Sequence, residues 1–104
     1  MTATLPGMAS VPSSAHQAWT FLSNHAHVLI VLARQPDLRM RDVAERVGVS
    51  ERAVQRIVAD LVSGGCLEAI RVGRRNHYRI HENVRLRHPI EAHHTIGELI
   101  VLGR

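Results

Sequence analysis

The sequence lacks the features of disulfide-rich and membrane proteins. Its single cysteine, Cys66, cannot form a disulfide within the chain, and we expect a reducing, cytoplasmic environment. The longest apolar run, VLIVLA, is far too short to cross a bilayer, so we expect no membrane partner. Aromatic residues make up only 3% of the chain, which leaves an aliphatic core and favours helices with a little sheet.

Lysine is absent as well. All 13 basic residues are arginines, and the formal net charge is +4. The arginine side chain presents a planar fork of donors that matches phosphate groups and the edge of guanine. The charge therefore favours a polyanionic partner, although it does not identify one.

Motifs for catalysis are also missing. The chain has no recognisable acid and base pair, no phosphate-cradling glycine loop and no activated nucleophile, so we expect neither an enzyme nor a cofactor. Eight histidines raise the question of a metal. Adjacent histidines such as His93 and His94 point about 100° apart on a helix, and we expect no metal site.

The length fits one domain with one core. Residues 1–14 are rich in Pro, Gly, Ser and Thr, which predicts a disordered tail. Residues 15–82 form the predicted main domain, and residues 83–104 are assigned to a C-terminal helix. Within the main domain, Ser23 is a candidate N-cap for a core helix that ends before Pro36. The conformation of residues 15–22 stays open.

Residues 40–59 are the most informative stretch. Two helical patterns lie on either side of Gly48, where a positive φ is expected. Ser50 is placed to cap the second helix, and Gly64 with Gly65 marks its end. The spacing of small, glycine and apolar residues is that of a helix-turn-helix.

A hairpin is predicted after the second helix. The segments CLEAIRV and HYRI have strand-like composition and are separated by residues 73–76. Upstream, Leu38 and Met40 alternate around Arg39, a pattern that also fits a short strand beside the hairpin.

With these motifs, residues 23–80 resemble the winged helix-turn-helix of bacterial transcription regulators of the MarR/ArsR type. The resemblance implies a mainly α fold with a small β-hairpin (α+β), here with an extra C-terminal helix. It also implies a regulator that binds specific sequences of double-stranded DNA. Residues 50–63 would be the recognition helix in the major groove, and residues 71–80 the wing on the backbone or minor groove. Such proteins most often repress, but the sequence does not show the sign of regulation.

The residues themselves suggest the contacts. On a helical wheel, Arg52, Gln55 and Arg56 lie opposite the apolar face, and such side chains read guanine and adenine. The alternative is a solvated face, with Arg56 paired to Asp60 one turn away. Glu51 and Asp60 would repel phosphate if they faced DNA. The predicted DNA contacts are Arg39, Arg41, Ser50, Arg52, Gln55, Arg56, Arg74, Arg75, Asn76 and His77.

The C-terminal helix is predicted to begin at Pro89 and continue to about Leu102. Its apolar surface is wide for a chain of this size, which predicts a homodimer. Glycine within a helix costs about 1 kcal/mol relative to alanine, and a close helix crossing would explain Gly97. The alternative is a helix that packs on its own domain. The predicted interface residues are Trp19, Ile90, His94, Ile96, Gly97, Ile100 and Val101.

Two other functions remain open from the sequence. The first is a winged-helix module that docks an acidic protein partner through its basic surface. The second is a sensor that holds a small molecule or metal at the dimer interface. The short chain leaves limited room for a dedicated pocket, so a small-molecule effector is possible but unsupported.

Overall fold

A computed structural model describes residues 19–104, and the predicted N-terminal tail lies outside them. The predicted mainly helical fold with one antiparallel hairpin is confirmed. No helix in the described range is long and apolar enough to cross a membrane. In chain order the elements are α1 (Asn24–Arg34), α2 (Met40–Val47), α3 (Glu51–Ser63), β1 (Leu67–Val72), β2 (Arg75–Ile80), α4 (Ile96–Ile100) and a 3-10 turn (Val101–Gly103).

Helix α1 runs through the centre of the core. It begins after Ser23, whose hydroxyl oxygen accepts a hydrogen bond from the Ala26 N–H at 3.3 Å, as the sequence predicted. It ends at Arg34, because a residue directly before Pro36 avoids helical geometry. Its buried residues include Val28 and Leu32, which are fully enclosed by the other helices and the hairpin.

The predicted turn between α2 and α3 is confirmed. Gly48 has a φ of +87°, which glycine adopts without strain, and its N–H bonds to the Ala44 carbonyl at 2.8 Å. Ser50 accepts a hydrogen bond from the Ala53 N–H at 3.1 Å and so starts α3. Val54 on α3 is fully buried, which fixes how α3 lies on the core.

The hairpin turn is tighter than predicted. Strands β1 and β2 pair from Leu67 with Ile80 to Val72 with Arg75, and only Gly73 and one further residue connect them. Gly73 has a φ of +64°, as the first position of a two-residue hairpin turn requires. Two residues that the sequence assigned to the hairpin tip, Arg75 and Asn76, therefore belong to β2.

The predicted third strand is wrong. Within residues 19–104 the sheet has two strands, Leu38 lies in a loop, and Met40 is the first residue of α2. The loop meets the free edge of β2 through a single backbone bond, from the Tyr78 N–H to the Pro36 carbonyl at 3.0 Å. Pro36 has no N–H to return, so the ladder does not extend.

The predicted start of the C-terminal helix at Pro89 is also wrong. Residues 89–93 form turns, and α4 begins only at Ile96. The backbone of residues 94–96 pairs instead with residues 84–86, through Leu86 N–H to His94 O at 3.0 Å and Ile96 N–H to Val84 O at 2.8 Å. The carbonyl of His94 is thereby used outside any helix, and the Ile96 N–H, which has no partner within α4, bonds to Val84, so the helix starts only at Ile96.

A capping box sets the start of α4. The Thr95 hydroxyl accepts from the Glu98 N–H at 3.3 Å, and the Glu98 carboxylate accepts from the Thr95 N–H at 2.7 Å. That backbone hydrogen bond lowers the pKa of the Glu98 carboxyl, with help from His94, against a smaller opposing effect of desolvation. The charge of Glu98 therefore favours the folded helix end.

A close contact within the chain, rather than a helix crossing, explains the glycine at position 97. A Cβ at this position would lie 3.1 Å from the Glu82 Cβ and 3.2 Å from the Glu82 carbonyl oxygen. The Gly97 N–H donates to that same carbonyl at 2.9 Å. The glycine thus permits the segment after β2 to approach the start of α4.

Candidate nucleic-acid interface

A basic cleft opens between the start of α2, the start of α3 and the hairpin. Its volume is about 500 Å³. Arg39 and Arg41 line it from the α2 side, and Arg74 and Arg75 line it from the hairpin. The two pairs are far apart in the sequence, and the fold brings their guanidinium groups around one opening. Glu51, in the first turn of α3, shares the lining.

Asp37 and Glu51 also line this basic cleft, so two carboxylates offset only part of the positive charge of its four arginines. Among residues 19–104, the arginine that pairs with a carboxylate is Arg79, which lies 3.1 Å from Glu68. None of the four cleft arginines forms an ion pair within that range. A cleft of unpaired guanidinium groups attracts phosphate and other polyanions.

The outer face of α3 continues this surface. Arg52, Gln55 and Arg56 are exposed, as the wheel predicted. The opposite, apolar face is mostly buried, although on that face Ala53 is half-buried and Val62 is 43% exposed. Because the buried side anchors α3 on the core, its polar side is presented to solvent as one rigid array. The buried residues of α3 are Val54, Ile57, Val58 and Leu61.

The predicted alternative for α3, an ion pair between Arg56 and Asp60, is not formed. Asp60 lies instead next to His25 at the start of α1, with 2.8 Å between Asp60 Oδ2 and His25 Nε2. Arg56 therefore remains available to an external partner. Sequence reasoning missed His25 in this role, because the two residues are 35 positions apart and no local pattern links them.

Besides Arg75, whose guanidinium donates to the Asp37 carbonyl at 2.6 Å, three predicted DNA contacts, Ser50, Asn76 and His77, have partners inside the chain. Ser50 uses an oxygen lone pair in the cap of α3 and keeps its O–H as a donor. The other two side chains are tied within or beside the hairpin. The bonds are Ser50 Oγ from Ala53 N–H at 3.1 Å, Asn76 Nδ2 to Tyr78 Oη at 3.3 Å, and His77 Nδ1 to Asp37 Oδ1 at 2.7 Å.

The predicted interface residues fall into two groups. Trp19, Ile90 and Val101 are exposed, at 68%, 79% and 52%, while Ile96 and Ile100 are 2% exposed and lie in the chain's own core. The assignment of these two isoleucines to a partner surface is corrected, since their side chains are already covered. Gly97 faces Glu82, as described above. His94 is exposed and lies 3.3 Å from Glu98.

Two further large apolar side chains, which were not among the predicted interface residues, are also exposed. Phe21 is 90% exposed and stacks edge-on against Trp19, with ring centroids 4.9 Å apart. Leu102 adds a further exposed side chain at the other end of the described chain. Such large apolar side chains in contact with water are typical of surfaces that associate.

A second opening, the C-terminal cleft, lies between α1, the end of α3 and the segment before α4. Its volume is about 440 Å³. The floor is apolar and includes Leu29, Leu61 and Ile96, while Arg85 and Arg87 are on its rim. No sequence pattern predicted this cleft, because its walls come from opposite ends of the chain.

Comparison with known sequence families and solved structures shows which proteins this chain resembles. A sequence model of the MarR family matches residues 20–75, which is more than half of the chain. No curated protein matches the chain in sequence. Among solved structures, the PcaV transcriptional regulator from Streptomyces coelicolor in complex with its natural ligand is 28% identical. That match covers 99% of this chain and 80% of that chain, with a TM-score of 0.52, which supports a winged-helix fold.

Two other solved structures are similar over shorter stretches. Another PcaV structure is 34% identical, covering 56% of this chain and 45% of that chain with a TM-score of 0.48. In that match the chain spans less than half the length of its relative. The AntR antimony-specific transcriptional repressor is 29% identical, covering 75% of this chain and 60% of that chain with a TM-score of 0.49.

Proposed function

The chain belongs to the MarR family, and we propose that it is a transcription regulator that binds specific sequences of double-stranded DNA. The comparisons support the MarR half of the predicted MarR/ArsR resemblance and not the ArsR half. The family consists of transcription regulators and not of enzymes. The observation that carries the proposal is the basic cleft, with its four unpaired arginines beside the exposed polar face of α3.

In the proposed complex, α3 is the recognition helix and enters the major groove. Arg52 and Arg56 donate to guanine, and Gln55 pairs with adenine through two hydrogen bonds. Arg39 and Arg41 hold the phosphates of the adjacent backbone, since the helix before the recognition helix crosses that backbone.

The hairpin is the proposed wing. Arg74, in the two-residue turn, contacts a phosphate or enters the minor groove, and Arg75 follows it along β2. Contacts of this kind fix the register of a protein on DNA and supply affinity that depends on salt.

The proposed assembly is a homodimer. Its support is a set of exposed large apolar side chains, which a single chain leaves in contact with water: Trp19, Phe21, Ile90, Val101 and Leu102. In this arrangement residues 15–82 contain the DNA-binding surface, and residues 83–104 join the copies together with Trp19 and Phe21. Two recognition helices then read major grooves about 34–36 Å apart.

Selection of bound fragments from random duplex DNA tests the proposal. We expect an enriched palindromic motif, because two copies related by symmetry read two half-sites. Arg52→Ala and Arg56→Ala should each cost about 1–3 kcal/mol of binding and relax the preference at one position. Arg85→Ala is the control, since that arginine lines the C-terminal cleft and not the basic cleft. Absence of any enriched motif would favour the alternative of a module that docks an acidic protein.

A second candidate function, response to a small ligand, is favoured by the C-terminal cleft. An apolar floor under two arginines suits a small organic anion, and PcaV is described in complex with a natural ligand. Thermal unfolding with a panel of small organic acids and their uncharged amides tests this. An acid that raises the unfolding temperature of the wild type but not of Arg87→Ala supports the role. Stabilisation by no acid, or equal stabilisation of both proteins, contradicts it.

A further inference from the structure

The loop of residues 35–38 belongs to the rigid helical body of the molecule. The Gln35 N–H donates to the Val31 carbonyl at the end of α1, at 2.9 Å, and the Leu38 N–H donates to the Gln35 carbonyl at 3.3 Å. From α2, the Arg46 guanidinium donates to the side-chain oxygen of Gln35. The loop is thus fixed to α1 and α2, the helices on either side of it.

The same loop holds the free edge and outer face of β2 through three hydrogen bonds. The Tyr78 N–H donates to the Pro36 carbonyl at 3.0 Å. The Arg75 guanidinium donates to the Asp37 carbonyl through Nη2 at 2.6 Å. The His77 ring donates to the Asp37 carboxylate, with Nδ1 and Oδ1 2.7 Å apart. Two of the three bonds end on Asp37.

The outer half of the hairpin has little else to hold it. Tyr78 and Leu67 are buried near its base, but Val72 next to the turn is 61% exposed. A two-stranded hairpin without burial on either face is only marginally stable in water. Its direction relative to the helices therefore depends on the contacts with residues 36 and 37.

We propose that Asp37 is a positioning residue that fixes the hairpin, and Arg75 with it, beside the basic cleft; this rests on the proposed DNA-binding function. The Asp37 carbonyl directs the Arg75 guanidinium toward the cleft that both residues line. Its carboxylate holds the hairpin through His77. His77 accordingly acts as a tether to the helical body, and not as the DNA contact that its place in the sequence predicted.

Whether a substitution of Asp37 strengthens or weakens binding to the duplex distinguishes a positioning role from a purely electrostatic effect. Asp37 carries a negative charge in the basic cleft, so removal of that charge by itself should strengthen binding to a polyanion. Loss of the hydrogen bond between Asp37 and His77 should weaken that binding. Asp37→Ala removes both charge and acceptor, whereas Asp37→Asn removes the charge and keeps an oxygen that can accept from His77.

The experiment measures binding of the full chain to its selected duplex between about 50 and 200 mM salt, where phosphate contacts dominate affinity. We expect Asp37→Ala to bind about two- to fivefold more weakly, the range of an exposed charged pair. The slope of log affinity against log salt should fall by about 0.9 for every phosphate that the hairpin of each subunit no longer reaches. Asp37→Asn should bind at least as tightly as the wild type. Equal behaviour of the two variants, or tighter binding by Asp37→Ala, would overturn the proposal.

Two further variants and one amide-exchange measurement complete the test. His77→Phe breaks the tether from the other side but keeps the Asp37 charge, so it should bind at least as weakly as Asp37→Ala, and it serves if that variant unfolds. Glu68→Gln removes a carboxylate that pairs with Arg79 on the same hairpin and should not weaken binding. Exchange of the Tyr78 amide in the free chain should be about two- to fivefold faster in Asp37→Ala than in Asp37→Asn.

The exchange measurement separates this proposal from the proposed function. If the wild type binds no duplex, DNA binding fails, and faster Tyr78 exchange in Asp37→Ala still supports the positioning role of Asp37. If the wild type binds DNA and Tyr78 exchanges equally in both variants, DNA binding stands and positioning by Asp37 fails.

Discussion

Arg74→Ala offers the sharpest test of the hairpin as a DNA contact. Arg74 lies in the two-residue turn, lines the basic cleft and forms no ion pair among residues 19–104. A phosphate contact releases counterions, so each one adds about 0.9 to the slope of log affinity against log salt. Removal of the Arg74 guanidinium should therefore lower the slope by about 0.9 for one subunit, or about 1.8 for a homodimer.

The effect is large enough to measure. Between about 50 and 200 mM salt the concentration changes fourfold, and four to the power 0.9 is about 3.5. The advantage of the wild type over Arg74→Ala should thus shrink about 3.5-fold across that range, or about 12-fold if both subunits contribute. Fluorescence anisotropy with a labelled duplex at several salt concentrations gives both slopes directly.

Arg79→Ala is the matched control for that measurement. It removes the same charge from the same hairpin, but the Arg79 guanidinium already lies 3.1 Å from Glu68. Its slope should stay close to that of the wild type. Equal slopes for Arg74→Ala and the wild type would refute the contact. An equal decrease in both variants would mean that total charge, and not the position of Arg74, determines binding.

Three further predictions concern the fold. Gly48→Ala should lower the free energy of unfolding by about 1–2 kcal/mol in denaturant titrations, because a Cβ there meets nothing within 4 Å and only the positive φ resists it. Leu32→Ala should cost about 2–5 kcal/mol in the same assay, since Leu32 is fully buried in the core. The hydrogen bond from the Thr95 N–H lowers the pKa of the Glu98 carboxyl in the folded chain, so its stabilising effect is present above the pKa of the unfolded chain and is lost as pH falls through the lower, folded pKa. Thermal unfolding should therefore show Glu98→Gln less stable than the wild type at neutral pH, with the difference vanishing in acid.

The helix-turn-helix was predictable because its determinants are local. Ser23 and Ser50 cap helices through bonds to amides three residues later, and Gly48 has the positive φ of a helix end. Each of these interactions depends on residues within one helical turn. The periodicity of apolar residues then determines which face of α3 is buried, with Val62 exposed and Ala53 half-buried on that face.

The C-terminal segment shows where such reasoning fails. Pro89 and a run of apolar residues suggested a long helix, but Thr95 and Glu98 form a capping box that starts α4 later. That motif was readable in the sequence. The pairing of residues 94–96 with residues 84–86 was not, because it depends on how the chain folds back after β2.

The proposed role of Asp37 could not be predicted from the sequence either. Its partner His77 lies 40 positions away, and nothing in the loop of residues 35–38 marks it as a contact for the hairpin. The basic cleft was half predicted, since each arginine pair was assigned to DNA separately. The sequence did not show that all four arginines line the same cleft: Arg39, Arg41, Arg74 and Arg75.

The distribution of paired and unpaired charge favours DNA over an acidic protein partner. On a merely solvated helix, Arg56 would pair with Asp60 one turn away, yet Asp60 lies beside His25. Like charges held close together repel and destabilise the compact state, so a cleft of unpaired arginines carries a cost. An acidic protein segment that docks on the chain would need only one cluster of unpaired arginines. The duplex, with phosphates on both strands and base edges between them, accounts for arginines on α2, α3 and the hairpin at once.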